Sequence, residues 1–96
     1  MQGCEQYFMD LDNYIDATIR VDAINFEINS LKRVIMHLYD EIVICDNEGE
    51  WIAVGRLRAR IEKAAIRIEK LEAKQRRLLQ FQPPPNPPAF QANQRS

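Results

Sequence analysis

Residues that interrupt helices are almost absent from the first 82 positions of this 96-residue chain. No proline occurs before Pro83, and the only glycines are Gly3, Gly49 and Gly55. Val, Ile and Thr do not form the alternating runs that are typical of strands. This scarcity predicts long helices and argues against a fold built on sheets or on many turns.

Cysteine and histidine, on which many active sites depend, are also scarce. Cys4 and Cys45 have neither CxxC spacing nor a disulfide-rich pattern, so we expect two reduced thiols in an intracellular protein. His37, with Asp40 and Glu41, makes only part of a metal site, since the chain has no second histidine. We therefore expect no catalytic residues, no metal and no cofactor, and we interpret the chain as non-enzymatic.

Long apolar runs are missing too. No segment approaches the roughly 20 apolar residues of a membrane span, and the first residues lack the basic and apolar regions of a signal peptide.

The net charge of −1 hides an uneven distribution, because residues 10–46 carry eight acids and three bases and residues 48–81 carry five acids and nine bases. We expect a soluble, cytoplasmic protein without membrane contact, in which the two segments meet.

Two stretches of heptad-spaced apolar residues dominate what is present. Residues three and four apart share one face of a helix, so each stretch predicts a helix with a continuous apolar seam. The polar run Asp46–Glu50 separates the stretches and includes Gly49, which suits a helix end. The predicted seam contains Val21, Ile24, Ile28, Leu31, Ile35, Leu38 and Ile42 in the first helix, and Leu57, Ile61, Ile68, Leu71 and Leu78 in the second.

These features predict an all-α fold, namely an antiparallel, coiled-coil-like helical hairpin that assembles into a helical bundle as a homo-oligomer. Residues 1–9 are expected to form an N-terminal lead-in, with Asp10 or Asp12 as the N-cap of the first helix. The hairpin covers residues 10–82, with helices over about 12–45 and 51–81 and a turn at 46–50. Residues 83–96 are expected to form a flexible proline-rich tail.

The seam leaves apolar and basic side chains unexplained. In the first helix, a second apolar face consists of Leu11, Ile15, Ile19 and Phe26. A helix that is apolar on two sides usually contacts two neighbours, so we expect this face to contact another copy of the chain, most simply in a dimer.

The second helix carries two rows of cations beside its seam. Arg60, Arg67 and Lys74 are expected to face Glu27 and Glu41 of the first helix. The remaining cations, Arg56, Lys63, Lys70 and Arg77, are called the basic row below. Together with Trp51, the basic row is the candidate surface for an anion or a partner.

Three functions are compatible with these residues. The favoured one is a small helical interaction protein that self-associates and binds an unidentified protein partner as an adaptor, an inhibitor or an assembly factor. The run Trp51-Ile52-Ala53-Val54-Gly55-Arg56 resembles the hairpin domain of phage cyclic-nucleotide sponges over those six residues, although the long basic helix and the proline tail depart from that pattern. The resemblance implies a phage-encoded oligomer that sequesters a nucleotide or another small anion. The third function is nucleic-acid binding along the basic row.

Overall fold

The computed structural model describes the backbone of residues 2–85 and the side chains of residues 5–85. Within that range the chain forms two α-helices and no strand: α1 spans Gln2–Asn47 and α2 spans Trp51–Leu78. The helices pack side by side in a flat molecule that measures 76 × 22 × 12 Å. The predicted all-α hairpin is therefore confirmed. Neither helix, over the residues described, is both long enough and apolar enough to cross a membrane.

The first helix begins about ten residues earlier than the sequence predicts, at Gln2 and not near residue 12. The segment that we expected to be a lead-in is helical instead. Glu5 lies in the first turn, where a negative charge interacts favourably with the helix dipole. Asp10 does not cap a helix start, because its carboxylate accepts a 2.8 Å hydrogen bond from the Gln6 amide one turn earlier. Aspartate is tolerated inside a helix, so its preference for the N-cap does not require a helix to begin there.

A Schellman motif ends α1. Gly49 has a φ of 74°, its N–H donates to the Asp46 carbonyl at 3.1 Å, and the Glu50 N–H donates to the Cys45 carbonyl at 2.9 Å. The Glu50 carbonyl then accepts a 3.1 Å hydrogen bond from the Val54 N–H, which opens α2. The chain reverses within three residues, so the two helices lie antiparallel.

The second helix ends at Leu78, slightly before the predicted end near residue 81. The last turn tightens here, with the Leu79 N–H donating to the Gln75 carbonyl and the Phe81 N–H donating to the Leu78 carbonyl. Residues 83–85 follow without regular structure, because proline has no N–H with which to continue a helix. The rest of the predicted tail, residues 86–96, lies outside the described residues.

The apolar seam forms the contact between α1 and α2. All twelve seam residues are buried or half-buried, and no polar side chain within residues 5–85 is buried. Ile24, Ile28 and Leu71 pack together as one cluster, with Leu31, Ile68 and Leu78 around it. The most buried side chains, with exposures of 3–8%, are Ala17, Ile24, Ile28, Leu38, Leu57, Ala64 and Leu71.

Two polar contacts fix the register of the helices. Arg67 donates to both carboxylate oxygens of Glu27 at 3.3 Å, which is one of the pairings expected at this edge. Gln75, a half-buried residue that continues the heptad spacing between Leu71 and Leu78, donates from its amide to the side-chain oxygen of Asn25. Because α2 ends three residues after Gln75, the part of α1 before about residue 20 extends past the end of α2.

Candidate interaction surface

The side of α1 that faces away from α2 exposes four large apolar side chains. Phe8 is 60% exposed, Ile15 45%, Ile19 62% and Phe26 72%. They repeat at intervals of seven, four and seven residues, so they follow one line along a helix of 3.6 residues per turn. We call these four side chains the α1 outer row.

One residue of the predicted second apolar face does not lie on the α1 outer row, and another residue was missed. Leu11 is half-buried and lies about 60° around the helix from Phe8, because a step of three residues turns a helix of 3.6 residues per turn by about 300°. Phe8 takes its place, since it precedes Ile15 by seven residues and therefore points in the same direction. The heptad spacing could have identified Phe8, but the segment before Asp10 was not expected to be helical.

The basic row is fully open to solvent. Arg56, Lys63, Lys70 and Arg77 are all exposed. Among the side chains of residues 5–85, only Arg20 and Arg67 have a carboxylate oxygen within 4.0 Å, from Asp16 and Glu27 respectively. The four cations therefore have no intramolecular partner within the described range.

The other expected edge contacts are incomplete. Glu41 lines a shallow groove with Arg56 and Arg60, but its carboxylate makes no ion pair with either. Of the charges predicted to meet along this edge, Glu27 and Arg67 are the pair that comes into contact. That pair is 44–55% exposed, so it contributes only about 0.2–1 kcal/mol to stability.

Trp51 does not lie with the basic row. The indole is 79% exposed at the hairpin tip, where its Nε1 atom lies beside Gly49. It lines a groove with Gly49 and Glu50, whereas Arg56 lines a different groove with Glu41 and Cys45. Arg58, the other arginine near the start of α2, lines a third groove with Tyr39 and Glu62. The grooves of Trp51 and Arg56 adjoin, since Ile52 and Ala53 line both, whereas the groove of Arg58 is separate.

The remaining polar candidates do not converge on a reactive group. Cys45 is half-buried at the end of α1, and burial raises the pKa of its thiol, with the carboxylates of Glu50, Glu48 and Glu41 acting in the same direction. A raised pKa keeps a thiol protonated and weakens it as a nucleophile. His37 is exposed, and no cluster of three metal-ligating side chains occurs among the described residues.

Comparison of the chain with protein-family models, with curated proteins and with solved structures found no match. The resemblance noted for residues 51–56 therefore rests on those six residues alone. The function therefore has to be inferred from the surface itself, with its apolar row on α1 and its basic row on α2.

Proposed function

We propose that this chain is a small, non-enzymatic helical protein that self-associates and that acts by binding another macromolecule, as an adaptor, an inhibitor or an assembly factor. The observation that carries the proposal is the α1 outer row. Its four large side chains are 45–72% exposed, and three of them lie on the part of α1 that extends past the end of α2.

The apolar area left on the hairpin favours association. Burying a large apolar side chain completely contributes about 1.5–3 kcal/mol, and two packed helices alone bury a small core. Monomeric proteins rarely expose long contiguous apolar surfaces unless those surfaces bind something. Covering the α1 outer row with a second copy of the chain requires no other protein, so self-association is the simplest use of the row.

Other exposed apolar side chains offer a surface for a different protein. Met36, Tyr39 and Val43 are 56–68% exposed on the C-terminal half of α1, away from the α1 outer row. Tyr39 also borders an open groove between the helices, with Ile42 and Ile61. Grooves of this kind suit an amphipathic segment of another protein better than a small molecule.

Sedimentation equilibrium tests the self-association. Across low-micromolar to submillimolar concentrations, we expect the wild-type mass to rise above the 11.2 kDa of one chain. Phe26→Asp should lower the association while leaving the helical circular dichroism signal unchanged, because Phe26 is 72% exposed and only borders the seam residues Ile24 and Leu71. A wild-type chain that is helical but remains at the monomer mass throughout would refute the proposal.

Nucleic-acid binding is the second candidate, and the basic row favours it, since its four cations have no carboxylate partner among residues 5–85. Such binding would weaken steeply with salt, because each phosphate contact releases a counterion. Charge reversal of Lys63, Lys70 and Arg77 should then abolish it. If the wild type does not retain a labelled oligonucleotide at low salt, this candidate is excluded.

A further inference from the structure

The side of α2 that faces away from α1 carries an apolar row of its own. Its members are seven residues apart, and we call them the α2 outer row: Ile52, Ala59, Ile66 and Ala73. Ile52 is 76% exposed and Ile66 is 45% exposed. Each member is followed four residues later by a cation of the basic row, so apolar and basic side chains alternate along this face.

The α1 outer row alternates in the same way, but with acids. Asp12 lies between Phe8 and Ile15, and Asp22 lies between Ile19 and Phe26. Both aspartates are exposed, and neither has a cation within 4.0 Å among the described residues. Acids thus alternate with the apolar residues of the α1 outer row, and cations alternate with those of the α2 outer row. The exposed Glu62 and Glu69 flank Ile66 on the side away from those cations.

This division of charge disfavours contact between two α1 outer rows. When two α1 helices pair antiparallel with Phe8 opposite Phe26, Asp12 of each copy falls opposite Asp22 of the other copy. In a parallel pair each aspartate falls opposite the same residue of the other copy. Like charges in facing positions destabilise a helix pair in either orientation.

We propose that the α1 outer row of one copy packs against the α2 outer row of a second copy. An antiparallel register then places Ile19 opposite Ile66, which buries two exposed isoleucines together. In the same register Phe26 falls opposite the small side chain Ala59, and Asp22 falls opposite Lys63. These three layers, from Ile19 to Phe26, are apolar on apolar or acid on base, and they give attraction together with discrimination against the like-charged pairing. Toward the N-terminus of α1 the layers are mixed, with Ile15 opposite Lys70 and Phe8 opposite Arg77.

The geometry dictates how such an assembly grows. The two outer faces lie on opposite sides of a molecule that is only two helices wide, so one copy cannot engage both faces of the same neighbour. The contact is heterologous, and a dimer leaves one α1 outer row and one α2 outer row free. Further copies extend the row of helices until it closes into a ring or continues as a filament. The inference rests on the proposed self-association and specifies its interface.

Mixing two blocked variants tests the interface. Ile19→Asp blocks the α1 outer row and Ile66→Glu blocks the α2 outer row, and both new side chains are acidic, so the blocked faces repel each other. Each variant alone should sediment as a monomer, whereas an equimolar mixture should form a two-chain complex through the one intact contact. Wild type should exceed the mass of two chains as its concentration rises. Tyr39→Asp, at a residue that is 56% exposed and lies on neither row, is the matched control and should assemble like wild type.

Several outcomes would overturn the inference. Wild-type association that stops at two chains, or an Ile66→Glu variant that associates like wild type, would indicate contact between two α1 outer rows. Loss of association in Tyr39→Asp would place the interface elsewhere. A labelled oligonucleotide that binds the intact assembly through Lys63 and Lys70 would show that the basic row is not buried in it. By contrast, a wild type that stays monomeric would refute the proposed self-association itself.

Discussion

Truncation of Leu71 measures how much the seam stabilises the hairpin. Leu71 is 4% exposed and packs with Ile24 and Ile28. Leu71→Ala removes the equivalent of three buried carbon groups, which corresponds to about 2.4 kcal/mol at roughly 0.8 kcal/mol each. A cavity would add to this cost, but its neighbours relax easily in a molecule only 12 Å thick. We therefore expect the free energy of unfolding to fall by about 2.5–3 kcal/mol.

Urea unfolding followed by far-UV circular dichroism is the assay, with the midpoint expected to fall and the slope to stay constant. All samples need the same protein concentration, because self-association raises apparent stability by mass action. Leu79→Ala is the matched control. Leu79 is 61% exposed, so its truncation should cost less than about 1 kcal/mol. Equal losses in the two variants would mean that the seam is not the main source of stability.

Three further predictions concern the hairpin tip and the helix ends beside it. Gly49→Ala should destabilise the hairpin by about 1–2 kcal/mol in the same unfolding assay, because φ is 74° there. Gly55→Ala should instead stabilise it by about 0.5–1 kcal/mol, since Gly55 is helical and its missing Cβ would meet no atom within 4 Å. Alkylation of Cys45 by iodoacetamide, followed by mass spectrometry, should reach half its maximal rate above the usual pH for a thiol. Replacing Glu48 and Glu50 with glutamine should shift that profile to lower pH, and an unchanged profile would contradict the role assigned to these carboxylates.

The hairpin could be predicted because its signals are periodic and long. The heptad positions of both helices and the turn at Gly49 follow from local rules that the tertiary structure does not oppose. The start of α1 could not be predicted in the same way. Asp10 satisfies the sequence criterion for an N-cap, but its carboxylate bonds to Gln6 within a helix that has already begun. A capping residue shows where a helix can start and does not require it to start there.

The candidate surface was predicted only in part. Ile15, Ile19 and Phe26 are exposed together as expected, whereas Leu11 is half-buried. The basic row was identified from its spacing, yet the apolar residues beside it were overlooked because two of them are alanines. A row such as Ile52–Ala59–Ile66–Ala73 has little hydrophobicity in any short window, and only its seven-residue period distinguishes it.

The contact within the chain and the proposed contact between chains both combine apolar side chains with charges. Within the chain, an apolar seam supplies the stability, and the cross-helix ion pair found among residues 5–85, between Glu27 and Arg67, contributes little. Between chains, the outer rows have fewer large apolar side chains, so charge has to contribute a larger share of both affinity and selectivity. The acids of the proposed contact are on α1 and its bases are on α2, in line with the separation of charge along the chain. In the proposed assembly the apolar seam folds the hairpin, and the charges of the outer rows select its copies.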